Sequence, residues 1–279
     1  TCIDPAVAAH IAATRRCDYV QVSIDGSCAA THDACRGEGA FDRAVQGIRT
    51  LQAHGVPVTA RVTVNRHNVD DLEATAALLL DELGLPAIST NSAGYLGTCR
   101  LHADEIQLTT AERERAMATL ERLAVAYDDR ITATAGPLAD ARMWRAMEQA
   151  RQAHAGDGTP GGLTACGCTF QKLTVRADGV MVPCSMLAHL ALGRINHDSL
   201  RRVWQEHPVL TDLRQRAAIS LDAFEFCRGC DYIHYCTGNC PGLAYSCTQE
   251  VDHPSPDACL RRFLQNGGRL PPEPRSSES

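Results

Sequence analysis

Nine of the chain's fourteen cysteines fall between Cys166 and Cys259, and four of them crowd into CRGCDYIHYCTGNC, residues 227 to 240. That crowding constrains the fold more than any other feature. Disulfide frameworks belong to small secreted scaffolds. This chain has 279 residues, and its opening TCIDPAVAAH lacks the basic start and apolar stretch of a signal peptide. In a reducing compartment, clustered cysteines mean metal, so a cytoplasmic location is expected. The remaining five, Cys2, Cys17, Cys28, Cys35 and Cys99, are scattered and read as ordinary thiols. A net charge of −6 gives no basic surface for nucleic acid or anionic lipid. Aromatic residues at 5% leave little for base stacking. No apolar run approaches the ~20 residues of a membrane helix.

The first half alternates helix and strand. DPAVAAHIAATRR opens with Asp4 as N-cap and Pro5 at the first helical position. Tyr19 to Asp25 reads as a strand. In residues 40–54, Phe41, Ala44, Val45, Ile48 and Leu51 share a helical face. VPVTARVTV and PAISTN supply two more strands. Asn68 caps an expected helix between them, and Thr109 with Glu112 forms a capping box for another. This order implies right-handed crossovers and a parallel sheet. Three strands are few for such a sheet, and there is no initiator methionine, so a preceding piece with further βα units is expected.

Residues 131–165 are expected as a helical linker, with a helix around 139–154 and a flexible AGDGTPGG. KLTVRADGVMVPC reads as a hairpin about Asp178-Gly179. SPDACLRRFLQNGG reads as a helix capped by Ser255 and stopped by Gly267, with Cys259 in a first turn whose dipole favours thiolate. Residues 267–279 are disordered by composition. The expected division is therefore 1–130, 131–165, 166–266 and 267–279.

Cys227 and Cys230 form a C-x2-C pair, followed by Cys236 and Cys240. Cys168 and Cys184 flank the hairpin, and Cys166 precedes Cys168. With Cys259 these make eight thiolates, two sets of four, with Cys247 left over. Two zinc ions or two iron–sulfur clusters would both use such sets, and spacing alone leaves the choice open. His32, His67, His189, His207, His234 and His253 share no metal-binding helical face and read as ordinary surface or turn histidines; His234, between cysteines, is a candidate to tune a cluster.

The whole pattern C-x10-G-x4-C, gap, C-x2-C-x5-C-x3-C, gap, C, carried by Cys168, Gly179, Cys184, Cys227, Cys230, Cys236, Cys240 and Cys259, resembles the SPASM domain of radical S-adenosylmethionine enzymes. VQVSIDG with the helix that follows is similar to the second half of that family's partial (β/α)6 barrel. The fold class implied is α/β: the C-terminal half of the barrel, then a small cysteine-rich iron–sulfur domain. The resemblance implies two auxiliary [4Fe–4S] clusters with interleaved ligands. Cys227, Cys230, Cys236 and Cys259 would hold the outer one, and Cys184, Cys240, Cys168 and Cys166 the one nearer the active site. It further implies S-adenosylmethionine contacts from Ser23 and Asp25 to the ribose, and from the strand end Thr90 to Ser92, centred on Asn91, to the adenine. The implied activity is hydrogen abstraction from a precursor peptide by a 5′-deoxyadenosyl radical, with flavodoxin or ferredoxin as electron donor.

Two departures qualify this. The C-x3-C-x2-C motif that binds the third, S-adenosylmethionine-cleaving [4Fe–4S] cluster is not in these residues, so the intact protein is expected to carry it upstream and this chain alone to be inactive. Ser185 follows Cys184 where sulfatase-maturing members place an acid. The tail is more similar to maturases of ribosomally made peptides, the SynChlorMet-cassette type among them. The alternative in a different class is a non-catalytic, metal-stabilised peptide-binding module.

Overall fold

The computed structural model describes residues 3–94, 97–155 and 158–273. These divide into two compact units. One holds the chain up to Gly94, Leu101–Met143 and the segment from Gly267; the other is built on Trp144–Asn266.

In the first unit, α1 (Pro5–Thr14) begins as its sequence dictates: Asp4 Oδ1 accepts the Val7 N–H at 2.8 Å, with Pro5 at the first position. Then come β1 (Val20–Ser23), α2 (Ala29–Arg36), α3 (Ala40–Ala53), β2 (Val58–Val64), α4 (Leu72–Ala77, continued by a π-type turn to Glu82) and β3 (Ile88–Ser92). The short α5 (Ala103–Ile106), α6 (Thr110–Ala126) with its Thr109–Glu112 capping box, and β4 (Ile131–Ala133) complete the pattern. The four strands pair in parallel in the order β1-β2-β3-β4. The fourth strand corrects the count of three: only three residues long, it carries too little alternation to register in sequence, and is defined by pairing Ile88–Thr90 with Ile131–Ala133.

One face of the sheet is covered by helices. Val22, Val58, Ala60, Val62, Val64 and Ile88 pack there with Ile48, Leu51, Leu79 and Leu120. The other face is half-exposed and polar. It carries Gln21, Ser23, Arg61, Thr63, Ser89 and Asn91, in rows set by the register Ser23↔Arg61↔Ser89 and Thr63↔Asn91. This is why β2 alternates although it is an interior parallel strand: only one of its faces is packed. Two further expectations are corrected. Asn68 does not cap α4; it is fully buried and ties Asn65 N–H to the Asp25 carbonyl. The tail is also partly ordered: Arg269 N–H donates to Glu114 at 3.1 Å, while 274–279 lie outside the described residues.

The second unit takes up most of α7 (Pro137–Gln152), then α8 (Cys168–Gln171), the antiparallel strands β5 (Thr174–Val175), β6 (Val180–Val182) and β7 (Gly193–Arg194), and helices α9 (Leu200–Glu206), α10 (Pro208–Gln215), α11 (Pro241–Thr248) and α12 (Leu260–Gln265). The β5–β6 turn closes through Gly179 at φ +83°. Its buried apolar clusters include Met181, Leu192, Val203 and Leu210, and Leu163, Leu221 and Cys227. Trp144 is fully buried, with its indole donating to Ala258 O at 3.3 Å and its rings 4.8 Å from Phe263.

The end of the expected flexible linker is instead docked backbone. Gly161 N–H donates to Ile233 O at 2.9 Å, Leu163 N–H to Ile219 O at 3.0 Å, and Leu221 N–H to Gly161 O at 2.8 Å. A Cβ on Gly161 would lie 1.9 Å from Cys236 O, and one on Gly162 2.2 Å from Ala217 O. The glycines are there for close approach, not for flexibility.

Candidate metal and cofactor sites

Elements distant in sequence bring Cys166, Cys168, Cys184 and Cys240 together. Cys166 and Cys168 lead into α8, Cys184 follows β6, and Cys240 stands immediately before Pro241 of α11. Gly242 lets α11 close on the turn after Cys184; a Cβ there would be 2.6 Å from Met186 Cβ. Hydrogen bonds from Cys168 and then Cys240 hold the Cys166 thiol down to about 2. A bond from Cys168 lowers Cys184 to about 6. The donors pay the opposite shift: Cys168 is pushed up by its bonds to Cys166 and Cys184, and Cys240 by its bond to Cys166 and by burial. Beside this set, the Arg216 side chain is 1% exposed. Its guanidinium donates to Asp252 at 3.0 Å, to Val251 O at 2.7 Å and to Thr164 O.

The second set surrounds a cavity. Cys227, Cys230, Cys236 and Cys259 line it with apolar walls from Leu221, Phe226, Ile233, Pro254 and Ala258. Tight turns build the C-x2-C end, with Cys230 N–H on Cys227 O and Ile233 N–H on Cys230 O, and Gly229 at φ +66° between. Burial and the neighbouring sulfurs of Cys236, Cys259 and Cys230 push the Cys227 thiol up to about 12. Burial likewise raises Cys236 and Cys259. The helix-dipole expectation for Cys259 is thus corrected. It is the N-cap of a six-residue helix, and burial outweighs the backbone bonds offered by Arg262 and Arg261. The raised thiols of Cys227, Cys236 and Cys259, with Cys230 on the same cavity wall, form a donor set suited to a cationic group that holds them as thiolates. Among the described residues, no three His, Cys, Asp or Glu side chains are spaced to hold one metal ion.

In the first unit, Ser23 lines a cleft of about 340 Å³ along β1, closed by His32, Arg36 and Arg43. Asn91 shares the polar sheet face, and its Oδ1 is buried without a hydrogen-bond partner. Asp25 is placed otherwise than expected. It is 2% exposed, with one carboxylate oxygen taking Thr63 N–H at 2.7 Å and the other Arg36 Nε at 2.5 Å. That almost fully buried carboxylate fastens α2 to the strand ends. His32, expected at the surface or in a turn, is buried, and its Nδ1 accepts Asp25 N–H at 3.0 Å.

Sequence reasoning overlooked Arg216, whose role depends on burial, and the Glu148 clamp. Glu148 accepts from Arg151 at 2.7 Å and from Tyr232 at 2.9 Å, fixing the C-x2-C loop to α7. The bond from Arg151 leads in holding the Glu148 carboxyl down to about 2.

Residues 166–231 match the SPASM family, an iron–sulfur cluster-binding domain. That match covers the first part of the cysteine-rich stretch, and over most of its length the chain is similar to the following proteins. Mycofactocin maturase MftC of Mycolicibacterium smegmatis is 28% identical to it over 91% of this chain and 60% of that protein. The PqqA peptide cyclase of Ruegeria pomeroyi is 26% identical over 90% and 65%. The chain thus spans about three-fifths to two-thirds of the length of these relatives. In fold it is similar to anSMEcpe with bound AdoMet (TM-score 0.61, 14% identity, 95% of this chain and 70% of that one). It is also similar to Streptococcus suis SuiB bound to precursor peptide SuiA (TM-score 0.61, 12% identity, 92% and 56%). The SPASM match ends at 231, so Cys236, Cys240 and Cys259 lie beyond it. No helix among the described residues is long and apolar enough to cross a membrane.

Proposed function

We propose that this chain works as part of a radical S-adenosylmethionine maturase of a ribosomally made peptide. In this reading Cys166, Cys168, Cys184 and Cys240 hold one auxiliary [4Fe–4S] cluster, and Cys227, Cys230, Cys236 and Cys259 hold a second. The observation that carries it is the convergence of eight cysteines from six separate places in the chain into two groups of four, each with its own supporting shell. When bound, the clusters supply one-electron transfer, and S-adenosylmethionine with a third cluster supplies the hydrogen-abstracting radical. The chain's own residues bind and orient. Ser23 and Asn91, on the polar sheet face, offer a hydroxyl to the ribose and the unpartnered Oδ1 to the adenine amine. Asp25 positions Arg36 and the Thr63 backbone instead of touching the cofactor. The apolar walls around the second cysteine set exclude water from it. A precursor peptide is the substrate, and a small flavodoxin- or ferredoxin-type protein the electron donor. The names of the relatives, a maturase and a peptide cyclase, support this reading.

The test compares these 279 residues with a polypeptide that also carries a C-x3-C-x2-C motif upstream, both reconstituted with iron and sulfide and reduced. Only the longer chain is expected to make 5′-deoxyadenosine from S-adenosylmethionine. A longer chain that holds iron at all three sites yet makes none would favour the non-catalytic, metal-stabilised peptide-binding module.

A further inference from the structure

Ser255 lies between Pro254 and Pro256 in HPSPDAC and is 2% exposed. The sequence reads it as a helix cap, but α12 begins five residues later, with Cys259 at its N-cap, so the hydroxyl has no helix to serve. The backbone is fixed: Ser255 N–H donates to Gly238 O at 2.8 Å, and the flanking prolines restrict the dihedrals on either side. The Oγ, however, is buried with no hydrogen-bond partner. Ser255 lines the same cavity as Cys227, Cys230, Cys236 and Cys259, whose remaining walls are apolar side chains, Gly238 and the donor-only Arg261. A buried hydroxyl left unpaired is costly and rare. The side-chain acceptors that line this cavity, apart from Ser255 itself, are sulfurs.

We propose that Ser255 is a positioning residue whose hydroxyl donates a hydrogen bond to a sulfur of the iron–sulfur group held by Cys227, Cys230, Cys236 and Cys259, raising its reduction potential. This rests on the reading that the cavity holds such a cluster. Reduction adds negative charge to the sulfurs, so a donor aimed at them stabilises the reduced form more than the oxidised one. Removing the donor shifts the potential down without removing a ligand.

The experiment is an anaerobic redox titration of the reconstituted 279-residue chain followed by electron paramagnetic resonance. The signal lost in Cys236→Ala identifies the second-set cluster. Ser255→Ala is expected to keep full iron and sulfide, and to show about tenfold less of that cluster reduced at a fixed potential, about 59 mV for a one-electron couple. The other cluster's midpoint should stay in place. Ser255→Thr, which keeps the hydroxyl, should stay near the wild-type midpoint. Pulsed resonance in deuterated buffer should find an exchangeable deuteron coupled to the cluster in wild type and not in Ser255→Ala. A fully loaded Ser255→Ala with an unchanged midpoint overturns the inference alone, as does an equal shift in both variants. Wild-type protein that takes zinc and no iron overturns the inference together with the cluster reading beneath it.

Discussion

Replacing Gly161 with alanine places a methyl carbon 1.9 Å from Cys236 O, 3.1 Å from its carbonyl carbon and 3.2 Å from Ile233 O. Real Cβ contacts essentially never fall under 3.0 Å, so one backbone must retreat by about 1 Å. That retreat loosens Gly161 N–H to Ile233 O and Leu221 N–H to Gly161 O, bonds of 2.9 and 2.8 Å. Overpacking of this kind costs about 1–3 kcal/mol and each of the two weakened backbone bonds about 1 kcal/mol, so a loss of about 3–5 kcal/mol is expected. The displaced peptide carries Cys236, so iron should fall with stability. Gly167→Ala is the control. It sits between Cys166 and Cys168, its backbone is helical and nothing lies within 4 Å of the added carbon. Iron content and thermal melting of both variants, reconstituted side by side, test this. Gly161→Ala should melt several degrees lower and hold less iron, and Gly167→Ala should match wild type. Equal behaviour of the two variants, or greater damage from Gly167→Ala, would refute the close-approach account.

Cys236→Ala should lose about half of the iron, whereas Cys28→Ala and Cys247→Ala, at exposed thiols, should lose none; iron loss in Cys28→Ala equal to that in Cys236→Ala would overturn the ligand sets. Burial holds the His32 imidazole below its ordinary 6.5, so the unfolded chain takes up the proton first. Stability from this group is therefore complete above pH 6.5 and declines as pH falls below it. Melting temperatures between pH 7.5 and 5.5 should fall more steeply in wild type than in His32→Asn, and equal slopes would contradict the assignment.

What the sequence reveals and what it hides follow from how local each feature is. The Asp4-Pro5 helix start, the Thr109–Glu112 capping box and the Asp178-Gly179 hairpin depend on neighbours in the chain, and all three form. Asn68 and Ser255 resemble caps by the same local rules, yet distant partners decide both. Asn68 is drawn to Asp25 and Asn65, and Ser255 is pinned to Gly238. Asp25 shows the same limit in the first unit. The family resemblance implies a ribose contact for Asp25, whereas its carboxylate is bonded to Arg36 and the Thr63 backbone. The four-strand sheet was half legible, because β4 exists by pairing with β3 and not by its own pattern. Cysteine spacing is different. It gives the number of candidate thiols but not their partners; the grouping is implied by the family resemblance, and in the fold Cys166, Cys168, Cys184 and Cys240 lie together while Cys227, Cys230, Cys236 and Cys259 line one cavity.

Whether those two groups each hold an iron–sulfur cluster is read by metal and sulfide analysis with Mössbauer spectroscopy on anaerobically reconstituted protein. A brown protein with about eight iron and eight sulfide per chain, all in [4Fe–4S] form, is expected. A colourless protein with two zinc ions per chain after the same treatment would contradict that expectation.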